Sequence, residues 1–421
     1  AADAVAQLSR KPYKDYYYSV YPNMDLDMIV KVTRKWKWYE SNKLRRKFVE
    51  LFIYPMLRML PVRKKRIVFE GWWGQKFHCN PKAFYKYMDK EHPDYTCIWS
   101  LVDERTPIEG NGIRVRRKSL RYHYYMATSK YFVNNVNFME SFKKRKKQVE
   151  VQTMHGTPLK TLGLDVPGEL PTEEARQKFI KKCSRWDYLV VQSSKAESIT
   201  SSCYAFKKEF LKTGYPRNDV LFAKNNEKDI TDIKKKLGIS PEKKVIMYAP
   251  TWRDDEYYGN GKYKFKLKLD LDLLKQQLGD EYVVLLRTHH YIADALDVTG
   301  LEEFAYNLSK YDDITEIYLI SDICITDYSS VFFDYANLKR PMLFYTYDLD
   351  KYRDVLRGFY IDMETELPGP LVYTTEEVID KIKNLNSLNQ EYQQRYEQFY
   401  ERFCSWEDGN AAMRVVEAVF K

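Results

Sequence analysis

At 421 residues, 44% hydrophobic and 15% aromatic, the chain is too long for one ordinary core and predicts two or three domains. Its net charge of +10 lies almost wholly in Lys31–Arg66, where thirteen Lys/Arg face only Glu40 and Glu50, so the basic character belongs to one segment and not to the fold. No apolar run approaches the roughly 20 residues that span a bilayer, the start lacks a signal peptide's apolar core, and six scattered cysteines without a CxxC pair argue against a zinc or disulfide framework and fit a reducing compartment.

The basic stretch comes first. Residues 1–65 are expected to form a basic amphipathic helical segment. Trp36, Trp38 and Tyr39 interleave with cations, and Leu44, Phe48, Leu51 and Phe52 recur at helical spacing. Such a pattern suits an anionic membrane surface. A helical pair packed on the body with solvated cations is the competing structural account. Nucleic acid is not expected as a partner, because no recognition fold or RNP-like stretch accompanies the charge.

From Arg66 short apolar runs alternate with helical stretches. Strands are expected at 66–72, 95–102, 112–117, 130–136, 149–155 and 187–194, and Asn80-Pro81 reads as a helix start. Residues 210–222 read as strand, Gly-Tyr-Pro turn and helix. After a polar stretch a second series follows, with strands at 244–253, 281–290, 321–330 and 340–348. Alternation of this kind predicts βαβ units and mostly parallel sheets, an α/β chain. The expected boundaries are one α/β domain over 66–225, a second over 226–385, and helices over 386–421 expected to pack back across the domain interface.

Four polar stretches fall at the carboxyl ends of expected strands, where open α/β sheets hold ligands. They are Met154-His155-Gly156-Thr157, Ala249-Pro250-Thr251-Trp252-Arg253, Arg287-Thr288-His289-His290 and Thr326-Asp327-Tyr328-Ser329-Ser330. In the last, a strand ends at Thr326, and Asp327, Ser329 and Ser330 open an apolar helix whose free N–H groups favour phosphate. Simple helix capping by Asp327 or Ser329 accounts for one of these residues. Arg253 and Arg287 supply guanidinium donors, and His289 or His290 an imidazole. His155 stands apart as a base with a near-neutral natural pKa, able to take a proton from a hydroxyl. No P-loop, kinase signature or GxSxG elbow occurs, and no carboxylate cluster for a metal.

The strings "HGTPLKTLG", "TGYPRND", "YAPTWRDD", "RTHH" and "TDYSSVFFDYANLKRPMLFYTYD", in this order, resemble the CDP-glycerol glycerophosphotransferase family over roughly Arg66 to the C terminus. The resemblance implies a GT-B-like architecture, two Rossmann-like domains facing a cleft. It implies cofactor-free, metal-independent transfer of glycerol phosphate from CDP-glycerol to a lipid-linked poly(glycerol phosphate) acceptor, releasing CMP, in teichoic acid synthesis. His155 and His289 match the family's catalytic histidines. Arg253, Arg287, His290, Thr326, Asp327, Ser329 and Ser330 fall on the donor-phosphate side, and Gly156, Thr157 and Lys160 on the acceptor side. The basic segment would hold the protein peripherally on the cytoplasmic face of the membrane. Two rivals stay open: a GT-B glycosyltransferase using a nucleotide sugar, and a non-catalytic membrane-bound binder of anionic polymer.

Overall fold

A computed structural model describes residues 11–13, 16–22, 28–251, 267–288, 298–349 and 358–420. The chain forms two compact units, Ala1–Thr153 and Met154–Lys421. The division falls well before the expected boundary at 225.

The first unit opens with an antiparallel meander, β1 (Lys11–Tyr13), β2 (Tyr16–Pro22) and β3 (Met28–Arg34). Helix was expected over 1–65; among the described residues of that span it covers a 3₁₀ turn Trp38–Glu40, Lys43–Phe48, a π-helical turn Val49–Ile53 and Tyr54–Leu57. Asn42 caps this run by accepting from Arg45 N at 2.8 Å. One side is anchored: Val49 and Tyr54 are buried, and the Tyr54 ring meets His123 edge-on at 5.5 Å. Leu44, Phe48, Leu51, Phe52, Met56 and Met59 are exposed.

Parallel strands follow: β4 (Arg63–Glu70), β5 (Thr96–Leu101), β6 (Ile113–Arg116), β7 (Ser129–Asn134) and β8 (Val149–Gln152). Within this unit they run in the order β8-β7-β4-β5-β6. Alternate residues serve opposite faces, because side chains on a strand repeat every second residue. Val68, Ile98 and Phe132 pack beneath Tyr122 and Met126, while Phe69 stacks on Trp99 at 5.6 Å and meets Phe84 edge-on. Both faces are thus covered, as in other all-parallel sheets.

The helix expected at Asn80-Pro81 begins at Cys79, and Asn80 is not its cap. The Asn80 amide is fully buried and donates to Thr153 O at 2.9 Å. Just before it, Trp72 and Trp73 both hold positive φ (49° and 56°). For bulky residues this conformation costs about 1–3 kcal/mol each. Trp72 N donates to Asn135 Oδ1 at 2.9 Å, joining the ends of β4 and β7 where the strand order reverses.

The second unit holds the parallel pair β9 (Tyr188–Val191) and β10 (Glu209–Lys212). It also holds a six-stranded parallel sheet: β11 (Lys244–Ala249), β12 (Tyr282–Leu286), β13 (Ala305–Asn307), β14 (Ile323–Thr326), β15 (Met342–Tyr345) and β16 (Leu371–Val372). Its order is β13-β12-β11-β14-β15-β16, so the direction of winding reverses between β11 and β14. Val245, Met247, Leu285 and Phe344 face one core; Ile246, Tyr248, Leu286 and Leu343 face the other.

The closing helices, Leu385–Cys404 and Ala411–Val419, bind both parts of this unit. Phe399 stacks on Phe333 at 5.6 Å, while Trp406 N donates to Gln192 O at 3.1 Å. Asp219 accepts from Ala411 N and Ala412 N, both at 2.8 Å, and so caps the last helix. These ties join residues 188–223 to the C-terminal helices within this unit.

Candidate active site

At the β11/β14 reversal, the place where open α/β sheets bind ligands, lies a cavity of about 490 Å³. Beside it two strand ends are tied together. Thr326 is fully buried and donates from Oγ1 to Ala249 O at 2.7 Å. Asp327 Oδ1 accepts from Thr251 N at 2.7 Å and Tyr328 N at 2.6 Å. Thr326 and Asp327, expected on the donor side, therefore stitch the crevice together and do not line it.

Ser329 and Ser330 do line it. Both are half-buried. Ser330 occupies the N-cap of helix Val331–Tyr335 without a side-chain capping bond, so the capping account does not explain its hydroxyl. The helix is shorter than expected and passes into a 3₁₀ turn at Ala336–Leu338. Phosphate affinity at this edge therefore rests on hydroxyls and local amides more than on a long aligned helix.

Arg287 enters from the end of β12. Its Nη1 donates to Leu308 O (2.6 Å), Ser309 O (3.1 Å) and Tyr311 O (2.6 Å). Burial pushes its pKa below the ordinary value, opposed by the charges of Tyr318, Asp312 and Asp313. Partial dipoles do not neutralise a half-buried cation, so a bound anion is favoured there. Next to it, Thr288 Oγ1 and Ser309 Oγ are 2.8 Å apart.

The strand expected to run to His155 stops at Gln152 because the backbone turns: Met154 has φ 51° and Gly156 φ 140°. The positive φ at Gly156 favours glycine, and a side chain there would put its first carbon 2.9 Å from Arg217 Nη2, pressing on the guanidinium. The turn leaves His155 exposed on the cavity wall. Thr157 is anchored, with Oγ1 accepting from Gln192 Nε2 at 2.7 Å, and Lys160 lies further along the same wall.

His155, Gly156, Thr157, Lys160, Arg287, Ser329 and Ser330 thus meet around one cavity. Arg253, His289 and His290 lie outside the described residues. No carboxylate is among the described lining residues, and no group of three His, Cys, Asp or Glu suited to a metal occurs among the described residues. The surroundings suit an anion with a base beside it.

The string "TGYPRND" has no chemical role legible in the sequence. In the structure Arg217 Nη1 donates to His155 O at 2.5 Å and Nη2 to Asp334 Oδ2 at 2.5 Å. The string's compactness at a strand–turn–helix joint was the available signal; the contacts span 62 and 117 residues.

Residues 52–421 match the family of CDP-Glycerol:Poly(glycerophosphate) glycerophosphotransferases. The chain is 44% identical over 376 residues to the teichoic acid poly(glycerol phosphate) polymerase of Bacillus subtilis, covering 88% of this chain and 50% of that protein. Against the protein of the same name from Bacillus spizizenii it is 44% identical over 374 residues, covering 87% and 94%. The chain therefore spans about half the length of the first relative and nearly all of the second. Among solved structures, the wall teichoic acid polymerase TagF superposes with a TM-score of 0.83 at 41% identity, over 89% of this chain and 93% of that one. That polymerase has also been solved as a histidine-to-asparagine variant soaked with CDPG.

Proposed function

The chain belongs to the CDP-glycerol:poly(glycerophosphate) glycerophosphotransferase family, and from that membership and the cavity's chemistry we propose that it transfers glycerol phosphate from CDP-glycerol to the terminal glycerol hydroxyl of a lipid-linked poly(glycerol phosphate) chain. The observation that carries the reading is a cavity at the sheet's reversal point, lined by His155, Arg287, Ser329 and Ser330 and with no carboxylate among its described lining residues.

His155 takes the proton of the acceptor hydroxyl. The oxygen attacks the β-phosphorus, forming a new P–O bond while the bond to the bridging oxygen breaks and CMP leaves with that electron pair. Arg287 and the serine hydroxyls hold the phosphate oxygens, and such positioning and electrostatics are most of what phosphoryl transfer needs. His289, by its motif, assists charge on the departing phosphate. His155 and the neighbouring Gly156, Thr157 and Lys160 form the acceptor edge.

The exposed apolar stripe of residues 44–59 supports docking on an anionic membrane surface, where a lipid-anchored acceptor is presented. Peripheral contact on the cytoplasmic face is the proposed mode of docking; no helix among the described residues is long and apolar enough to cross a membrane. The test is incubation with radiolabelled CDP-glycerol and a lipid-linked glycerol phosphate primer in EDTA-containing buffer. CMP release with label moving into primer is expected. Turnover of a uridine nucleotide sugar in its place, or strict dependence on added Mg²⁺, overturns the reading.

A further inference from the structure

Three loops that meet near the cavity are joined by one buried polar chain. Arg217 is not a cavity-lining residue; its side chain is 14% exposed and that of its partner Asp334 is 7% exposed. One guanidinium nitrogen holds the main-chain carbonyl of His155 and another holds Asp334, each at 2.5 Å. Asp334 sits on helix Val331–Tyr335, which starts directly after Ser330. Its other oxygen accepts from Asn218 Nδ2 at 3.2 Å, and the same Asn218 nitrogen lies 2.9 Å from Glu407 Oε1. Glu407 Oε1 also accepts from Tyr215 N at 3.0 Å. The chain so formed runs from the loop of the base, through the 215–218 turn, to the phosphate-side helix and the C-terminal segment.

We propose that Arg217 is a positioning residue, which sets the separation between His155 and the Ser329–Ser330 phosphate edge by clamping the His155 carbonyl to Asp334. The planar fork makes both contacts at once, which an ammonium on a flexible stem does not reproduce. Gly156 completes the fit, since its missing side chain leaves room for the guanidinium. The clamp acts on geometry: a base displaced by about 1 Å from its acceptor loses roughly 100-fold in rate. This inference rests on the reading of His155 as the base.

The test measures CMP release from CDP-glycerol for Arg217→Ala, alone and combined with His155→Ala, together with hydrogen exchange in the 153–158 segment. Arg217→Ala is expected to lower kcat about 100-fold while the KM for CDP-glycerol stays within about threefold. In the His155→Ala background it should cost nothing more, because residues acting through one another are not additive. Exchange in 153–158 should quicken, and added guanidinium should restore part of the rate. A rise of more than about tenfold in donor KM with kcat retained, or losses that multiply in the double variant, overturns the clamp in favour of direct phosphate binding. If Arg217→Ala does not fold, Arg217→Lys, which keeps the charge and loses the fork, carries the same comparison. Absence of CMP release by the wild-type protein sinks the activity assignment instead, and exchange in 153–158 then decides the clamp alone: unchanged exchange overturns it.

Discussion

His155 reaches the cavity because the backbone around it turns twice through positive φ, at Met154 and Gly156. Its replacement by alanine removes a proton acceptor and little packing, since the side chain is exposed. His155→Ala should therefore lose on the order of 10²–10⁴ in transfer rate with an unchanged circular dichroism spectrum; near-normal turnover in a folded variant rejects it as base. The two serines answer a different measurement. A hydrogen bond to a charged group contributes about 1.5–3 kcal/mol, so Ser329→Ala/Ser330→Ala should raise the KM for CDP-glycerol by at least roughly tenfold and leave acceptor KM nearly unchanged. Steady-state kinetics with each substrate varied in turn distinguishes this from a purely structural pair, for which donor KM would not move.

At the scale of elements, the C-terminal helices hold the second unit together through buried acids. Burial raises the Glu407 carboxyl to about 8, against the hydrogen bonds from Tyr215 N and Asn218 that favour its charged form. Burial likewise raises Asp219, cap of helix Ala411–Val419, to about 6 despite its two amide donors. Both folded-state values exceed the unfolded ones, so the folded protein holds these protons more tightly. Their contribution to stability is complete below the unfolded values near 4 and declines as pH rises, through about 6 for Asp219 and about 8 for Glu407. Thermal unfolding should show Tm falling from about pH 5 to about pH 8.5, and Glu407→Gln should flatten the upper part of that fall. An equal slope in wild type and variant would assign the pH dependence to other groups.

For the molecule as a whole, the question is how a chain with a charge of +10 uses a charge confined to one segment. Arg45 is committed to Trp38 O and to the Trp38 ring at 5.6 Å, and Arg46 donates to Glu40 O at 3.0 Å and covers Trp36 at 5.1 Å. These arginines brace the segment, so charge reversal there would damage structure along with any membrane contact. The cleaner change is on the exposed stripe. Leu44→Ser/Phe48→Ser/Phe52→Ser should reduce co-sedimentation with anionic liposomes, since each large apolar side chain contributes about 1.5–3 kcal/mol on burial. The same variant should lose activity on lipid-anchored primer and retain it on a short soluble one. Equal losses on both primers would make the stripe part of the folded body.

Apolar runs of strand length, spaced by helical stretches, determined the parallel α/β class from sequence alone, because a strand buried on both faces must be apolar at consecutive positions. Val245–Ala249 and Ile323–Thr326 are strands for that reason. The strand-end motifs at 155–157, 287 and 329–330 were also legible, since glycine, proline and polar residues interrupt the apolar runs there. What only the tertiary structure decided were matters of long-range pairing. Local pattern does not say whether a serine or threonine after a strand faces a cavity, as Ser330 does, or donates to a neighbouring strand, as Thr326 does to Ala249 O. It does not place the unit division at 153, which follows from C-terminal helices returning to residues 192–219. Nor does it join Arg217 to His155 and Asp334, because a hydrogen bond across 62 or 117 residues leaves no periodic trace in the residues between.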